Sequence, residues 1–154
     1  SASVIFAGEC RRILSLTVKK PMPADISFDS NVVLYLLSAE EAKAETAARL
    51  LSQKGVVSVQ VLNEVSNVMR RKWQMDWAEI DDFLQALMPV CIIRPLTLSV
   101  HRLGLNLARR HHFSIYDAMI VAVAIESNCR VLYSEDMQHG FTVDSLQIIN
   151  PFHA

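Results

Sequence analysis

The sequence predicts an α/β fold, a three-layer α/β/α sandwich around a mainly parallel sheet of four to five strands. Its 154 residues, 51% hydrophobic and 20% charged, have the balance of one domain with a sizeable core. From Ile26 onward, short β-branched or apolar runs alternate with helical stretches. Strands separated by helices of this length require right-handed crossovers, which make neighbouring strands parallel and place helices on both faces.

Ile26-Ser27-Phe28 reads as the first strand, and Val32 to Leu37 as helical. Ser38 with Glu41 three positions on has the form of an N-cap, so a helix rich in Ala, Glu and Leu is expected from there to Gln53, ended by Lys54-Gly55. Val56 to Val59 is short and β-branched, a second strand. Val61, Leu62, Val65, Val68 and Met69 then recur at helical spacing. Asp76 to Leu87 is an amphipathic helix closed by Pro89, and Cys91-Ile92-Ile93 is a third strand. Leu98 to Arg110 is helical, and Ile115 to Glu126 is an almost wholly apolar helix. Arg130 to Tyr133 and Leu146 to Ile149 complete the strands.

Ser1 to Pro21 stands apart from this pattern. It has a basic pair, Arg11-Arg12, then Ile13 to Val18 and Lys19-Lys20-Pro21, without the apolar core and small-residue cleavage site of an export signal. Met22-Pro23-Ala24-Asp25 leads directly into the first strand. The expected division is therefore an N-terminal extension over residues 1–21 and one domain over 22–154, with Met22 a candidate start and Ile13 to Val18 a candidate edge strand.

Composition excludes several functions. Fifteen basic against sixteen acidic side chains leave a formal charge of -1, so any nucleic acid must be met by a local patch. Mean hydropathy is high at +0.24, yet the longest apolar run, Ala118 to Ile125, is far short of the roughly 20 residues that span a bilayer. The surplus suggests a protein interface as well as a buried sheet, with helix faces around Val33, Leu36, Leu37, Leu50 and Leu51 left over to associate, first as a homodimer. Cys10, Cys91 and Cys129 form no C-x-x-C pair, which argues against a disulfide framework or thiolate zinc site and for a reducing, cytoplasmic setting. Four scattered glycines build neither a dinucleotide fingerprint nor a phosphate-cradling loop.

In parallel α/β sheets, ligands gather beyond the carboxyl ends of the strands, and acidic residues fall there in four places. Asp29 ends the first strand, Glu64 lies early in the helix after the second, Asp117 opens the apolar helix, and Glu135-Asp136 follows the fourth strand. Read singly, Asp29 is a helix N-cap, Asp117 completes the capping sequence Ser114-Ile115-Tyr116-Asp117, and Glu135-Asp136 are turn residues. Glu64 has no basic residue three or four positions away to pair with. Together, carboxylates from four elements at one edge would repel one another unless they share a cation. An all-oxygen set favours Mg2+ or Mn2+ over zinc.

The segments Phe28-Asp29-Ser30-Asn31, Leu62-Asn63-Glu64-Val65, Asp117-Ala118-Met119-Ile120-Val121-Ala122-Val123-Ala124 and Ser134-Glu135-Asp136 resemble, in order, the motifs of PIN domains, and especially of the VapC-like ribonuclease toxins of toxin-antitoxin pairs. The resemblance implies a PIN-like nuclease domain in which Asp29, Glu64, Asp117 and Asp136 hold one or two Mg2+ or Mn2+ ions for RNA phosphodiester hydrolysis that leaves a 5'-phosphate. Asn31 and Ser134 would support them, and the adjacent Glu135 competes with Asp136 for the fourth place. It also implies a small antitoxin that inserts a basic residue into the acidic cleft. A PIN-like scaffold that binds RNA or protein without cutting is the rival reading. A phosphoreceiver domain is excluded by Arg94-Pro95 where its phosphorylated Asp would stand, and a D-x-D phosphatase by Asn31.

Two basic clusters flank these motifs. Arg70, Arg71 and Lys72 end the helix that carries Glu64, and Arg109 and Arg110 precede Asp117. They are candidates to hold RNA backbone, although cations at a helix C-terminus also serve simply to offset its dipole. His111 and His112, adjacent on a helix, point too far apart to share a metal. Trp73, Trp77, Met69 and Met75 are expected in the core or an interface.

Overall fold

The structure, a computed structural model, describes residues 25–153. The expectations for Ser1 to Pro21 and for Met22 lie outside the described residues.

Strand β1 (Ile26–Phe28) lies at the centre of the sheet and pairs in parallel with β2 (Val56–Ser58) on one side and β4 (Val131–Tyr133) on the other. β3 (Ile92–Arg94) extends the β2 side, and β6 (Leu146–Ile149) extends the β4 side, both parallel. β5 (Thr142–Val143) closes that end antiparallel to β6, giving the order β3-β2-β1-β4-β6-β5. The chain thus moves outward from β1 through β2 to β3, then crosses back to β4. Between β1 and β4 the winding reverses, which opens a crevice at the carboxyl ends of those two strands.

The α/β class and mainly parallel sheet agree with the sequence reading, with six strands instead of four to five. The extra strand, β5, has two residues and is too short to register as a β-pattern. It exists because Val143 pairs with Leu146 across a tight turn whose first residue, Asp144, adopts a left-handed conformation (φ 51°) that Asp tolerates.

Six α-helices are described: α1 (Ser30–Leu34), α2 (Glu41–Leu51), α3 (Val59–Arg71), α4 (Trp77–Leu87), α5 (Leu98–His111) and α6 (Ile115–Glu126). α1 runs on into a 3-10 turn over Tyr35–Leu37. Ser38 does not cap α2 as expected. Its hydroxyl instead accepts from Glu40 N (3.0 Å), and α2 starts two residues later, capped at Glu40 without a side-chain bond. Ser58 caps α3 by accepting from Val61 N, which makes Val59 the first helical residue instead of the last of the strand. Asp76 and Glu79 form a reciprocal capping box at α4.

α6 buries every residue from Ala118 to Ala124, as a helix apolar on all sides must. It packs closely on α5, where Gly104 faces Met119: a Cβ at Gly104 would fall 2.7 Å from Met119 Cε. Part of the apolar surplus is absorbed inside the domain. Val33, Leu36, Leu50 and Leu51 are buried and Leu37 packs against them, so these residues do not form the exposed face that was expected. No described helix is long and apolar enough to cross a membrane.

Candidate active site

Asp29 continues the β1 ladder by one bond, its N–H donating to Tyr133 O of β4 (2.9 Å). The backbone then turns, and the Asp29 carboxylate caps α1 by accepting from Ser30 N at 2.7 Å. The capping reading is therefore correct, and it is incomplete. The other carboxylate oxygen accepts from Ser134 Oγ (2.7 Å) and Asn31 Nδ2 (3.3 Å), so the buried Asp29 is anchored to both strands that flank the reversal. Ser134, fully buried, also accepts from Met137 N and holds the loop after β4.

Asn31 ties this loop to β1. Its amide nitrogen also donates to Asp136 Oδ2 (3.2 Å), while its oxygen accepts from Glu135 N (3.1 Å). Glu64, one turn and a half into α3, accepts from Ser30 Oγ (2.9 Å) and from Gln60 Nε2 (3.0 Å). Asp117 stands in the first turn of α6, its N–H bonded to the Ser114 cap (3.1 Å). Neutral donors surround these carboxylates, and charge accumulates. Burial pushes the Asp29 carboxyl up from 3.8 to about 6, with Glu64 and Asp117 adding to the rise against the pull of Ser134 and Ser30. The half-buried Asp117 is raised too, chiefly by desolvation and then by Glu64, with a smaller push from Asp136.

The adjacent acids divide. Glu135 turns away from this cluster to accept from Tyr35 OH (2.5 Å) and Lys43 Nζ (3.3 Å), whereas Asp136 is exposed and held by Asn31. Lys43 also lies 4.5 Å over the Tyr35 ring, whose other neighbour is Phe152. Geometry thus joins Asp136, and not Glu135, to Asp29.

Two clefts open beside these residues. One, of about 440 Å³, runs past Asn63, Glu64, Asn67, Ser114, Tyr116 and Asp117. The second, of about 500 Å³, runs past Asn31, Tyr35, Glu64, Asn67, Trp73 and Asp136. Glu64 and Asn67 border both.

The model of the PIN domain matches residues 26–140. The chain belongs to the PIN domain family. All four acids fall within the matched stretch, which ends before β5. Two solved structures share the fold. VapC20 of Mycobacterium tuberculosis, a Sarcin-Ricin loop cleaving toxin, is 23% identical with a TM-score of 0.58, over 72% of this chain and 89% of that one. A toxin-antitoxin complex from Klebsiella pneumoniae is 17% identical with a TM-score of 0.65, over 85% of this chain and all of that one. No curated protein matches the sequence.

In this PIN domain the donor set is wholly oxygen and suits a hard divalent ion. Among the described residues, however, no three His, Cys, Asp or Glu side chains are gathered as an ion would need. Glu64 accepts one bond on each oxygen, from Ser30 and from Gln60, which fixes its carboxylate and leaves a lone pair on each oxygen.

Of the five cations expected to meet RNA, Lys72 lines the second cleft. Arg70 does not: its guanidinium donates to Met75 O (3.0 Å) and lies 4.8 Å over the Trp77 ring, closing the α3–α4 connection. Arg71, Arg109 and Arg110 are exposed outside the cleft walls. Met69 and Met75 are in the core as expected, whereas Trp73 and Trp77 are exposed, Trp73 in the cleft wall. Sequence reasoning missed Ser30 and Gln60. Gln60 was findable, because it stands four residues before Glu64 on the same helix face. Ser30 reaches Glu64 only through the fold.

Proposed function

We propose that this PIN domain is a Mg2+- or Mn2+-dependent endoribonuclease and the toxin of a toxin-antitoxin pair. The observation that carries the reading is the approach of Asp29, Glu64, Asp117 and Asp136 at the strand reversal with no cation ion-paired to them among the described residues, while the neighbouring Glu135 has Lys43. Asp29, Glu64, Asp117 and Asp136 would hold one or two ions. When bound, such an ion supplies an activated water and neutralises charge on the attacked phosphate. Ser134 and Asn31 orient Asp29 and Asp136 toward it, and burial at Asp29 excludes bulk water from the inner side. Lys72 holds substrate backbone at the cleft rim.

The two structural neighbours, one a toxin and one a toxin-antitoxin complex, support an antitoxin as partner. A basic side chain from its tail, set among Asp29, Glu64 and Asp117, would offset the charge that the metal otherwise neutralises. Association as a homodimer is supported by Leu98 and Leu105, exposed two turns apart on α5. A cytoplasmic setting fits an RNA substrate. The rival reading, a PIN-like scaffold that binds without cutting, draws on the carboxylates not being gathered as an ion would need. Incubating the purified chain with RNA separates them: cleavage that needs Mg2+ or Mn2+ and stops with chelator supports the nuclease, and inertness with either ion supports the scaffold.

A further inference from the structure

The cleft on the Asp117 side has a wall that the acidic site does not use. Asn63 and Asn67, four residues apart on α3, lie on one helix face, and both are exposed. Among the described residues neither side-chain amide is engaged in a hydrogen bond, in contrast to Gln60 on the same stripe, which is spent on Glu64. Across the cleft stands Tyr116, 62% exposed although it follows directly on the core-packed Ile115. A ring and two unengaged amides lining one cleft offer a stacking surface beside paired donors and acceptors, a combination suited to a planar, polar ligand. Among the described residues no cation lines this cleft, so a duplex held by its phosphates is a poor fit.

We propose that Tyr116, Asn63 and Asn67 form a base-binding subsite for single-stranded RNA. An unpaired base next to the scissile phosphate stacks on the Tyr116 ring, and its edge is read by the amides, each of which offers both donor and acceptor. The two limbs of the site then differ in task. The Asp117 limb reads a base, and the Lys72–Trp73 limb carries backbone. This inference rests on the ribonuclease reading for its substrate and adds the requirement for an unpaired base.

The test uses a short fluorescent single-stranded RNA of randomised sequence and the same length of duplex, bound to the full chain in Mg2+ on an Asp29→Asn background so that nothing is cut. Tyr116→Ala should weaken single-strand binding roughly tenfold, Tyr116→Phe should restore it, and duplex binding should be weaker throughout. In the chain with Asp29 intact, Asn63→Ala with Asn67→Ala should broaden the base preference at the mapped cut sites and raise KM more than it lowers kcat. All three positions are at the surface, so melting temperatures should stay level. If the wild-type chain cuts RNA while Tyr116→Ala and the double amide variant leave affinity and cut-site pattern unchanged, the subsite is refuted and the nuclease reading survives. If the chain binds single strands through Tyr116 but never cuts, the nuclease reading falls and the subsite stands. Equal or tighter binding of duplex, or no RNA binding by the chain, also refutes the subsite.

Discussion

Glu135 and Asp136 are neighbours in the chain with opposite surroundings. Glu135 sits in a closed ring of partners, with Tyr35 donating to one oxygen and Lys43 to the other, and Lys43 is further held by Glu40. Asp136 lies across the crevice with Asp29, Glu64 and Asp117, where among the described residues every hydrogen-bond donor is a neutral hydroxyl, amide or backbone N–H. One region satisfies its negative charge internally, and the other leaves it to accumulate. An acid with its own cation helps to fasten β4's loop to α1 and α2. Acids without one are suited to a cation brought from outside.

The largest expected effect comes from removing charge in the second region. Asp29→Asn, Asp117→Asn or Asp136→Asn should each lower metal-dependent RNA cleavage by about a hundredfold or more, since each removes a hard ligand and one charge from the ion's shell. Asn still caps a helix, so thermal melts should show modest losses at Asp29. Full activity in the Asp29 and Asp117 variants would remove the metal-site assignment, and unfolding would favour capping as their main task.

A pH titration sharpens the contrast next. Because the folded-state value of Asp29, about 6, lies above its ordinary 3.8, the folded chain takes up a proton there before the unfolded chain does. Metal-free protein should therefore gain stability as pH falls from 7 through 6 toward 4, by up to about 3 kcal/mol from this group. Melts of wild type against Asp29→Asn in chelator across that range isolate the contribution. A wild-type curve parallel to the variant's would contradict it. Saturating Mg2+ should flatten the wild-type slope.

Glu135→Gln probes the satisfied region. It should lower the melting temperature slightly, as partly exposed ion pairs contribute little, and leave the metal concentration needed for half-maximal cleavage unchanged. A shift in that concentration comparable with Asp136→Asn would make Glu135 the fourth acid. The smallest effect is expected from deleting Ser1 to Pro21, because Asp29, Glu64, Asp117, Asp136 and every described strand lie after Met22. Equal melts and rates agree with an extension, and collapse would make Ile13 to Val18 part of the sheet.

Much of this was legible in the chain. Alternation of β-branched runs with amphipathic stretches sufficed for the parallel sheet, and Asp29, Glu64, Asp117 and the pair Glu135-Asp136 were visible as acids at strand ends or early in helices. These are local signals, written in periodicity and capping chemistry. Choosing between Glu135 and Asp136 was beyond them, because two adjacent carboxylates differ only in what the rest of the chain brings near: Lys43 from α2 and Asn31 from α1. The same limit explains Arg70, basic in sequence like Lys72 but turned by the α3–α4 connection onto Trp77. It also explains Val33, Leu36, Leu50 and Leu51, expected at an interface and instead buried by the sheet and its helices. Sequence determines which groups exist and which element presents them. Whether a charge finds a partner depends on contacts between residues as far apart as Asn31 and Asp136, and only the tertiary structure decides those, because charge interaction falls with distance in space and is indifferent to separation along the chain.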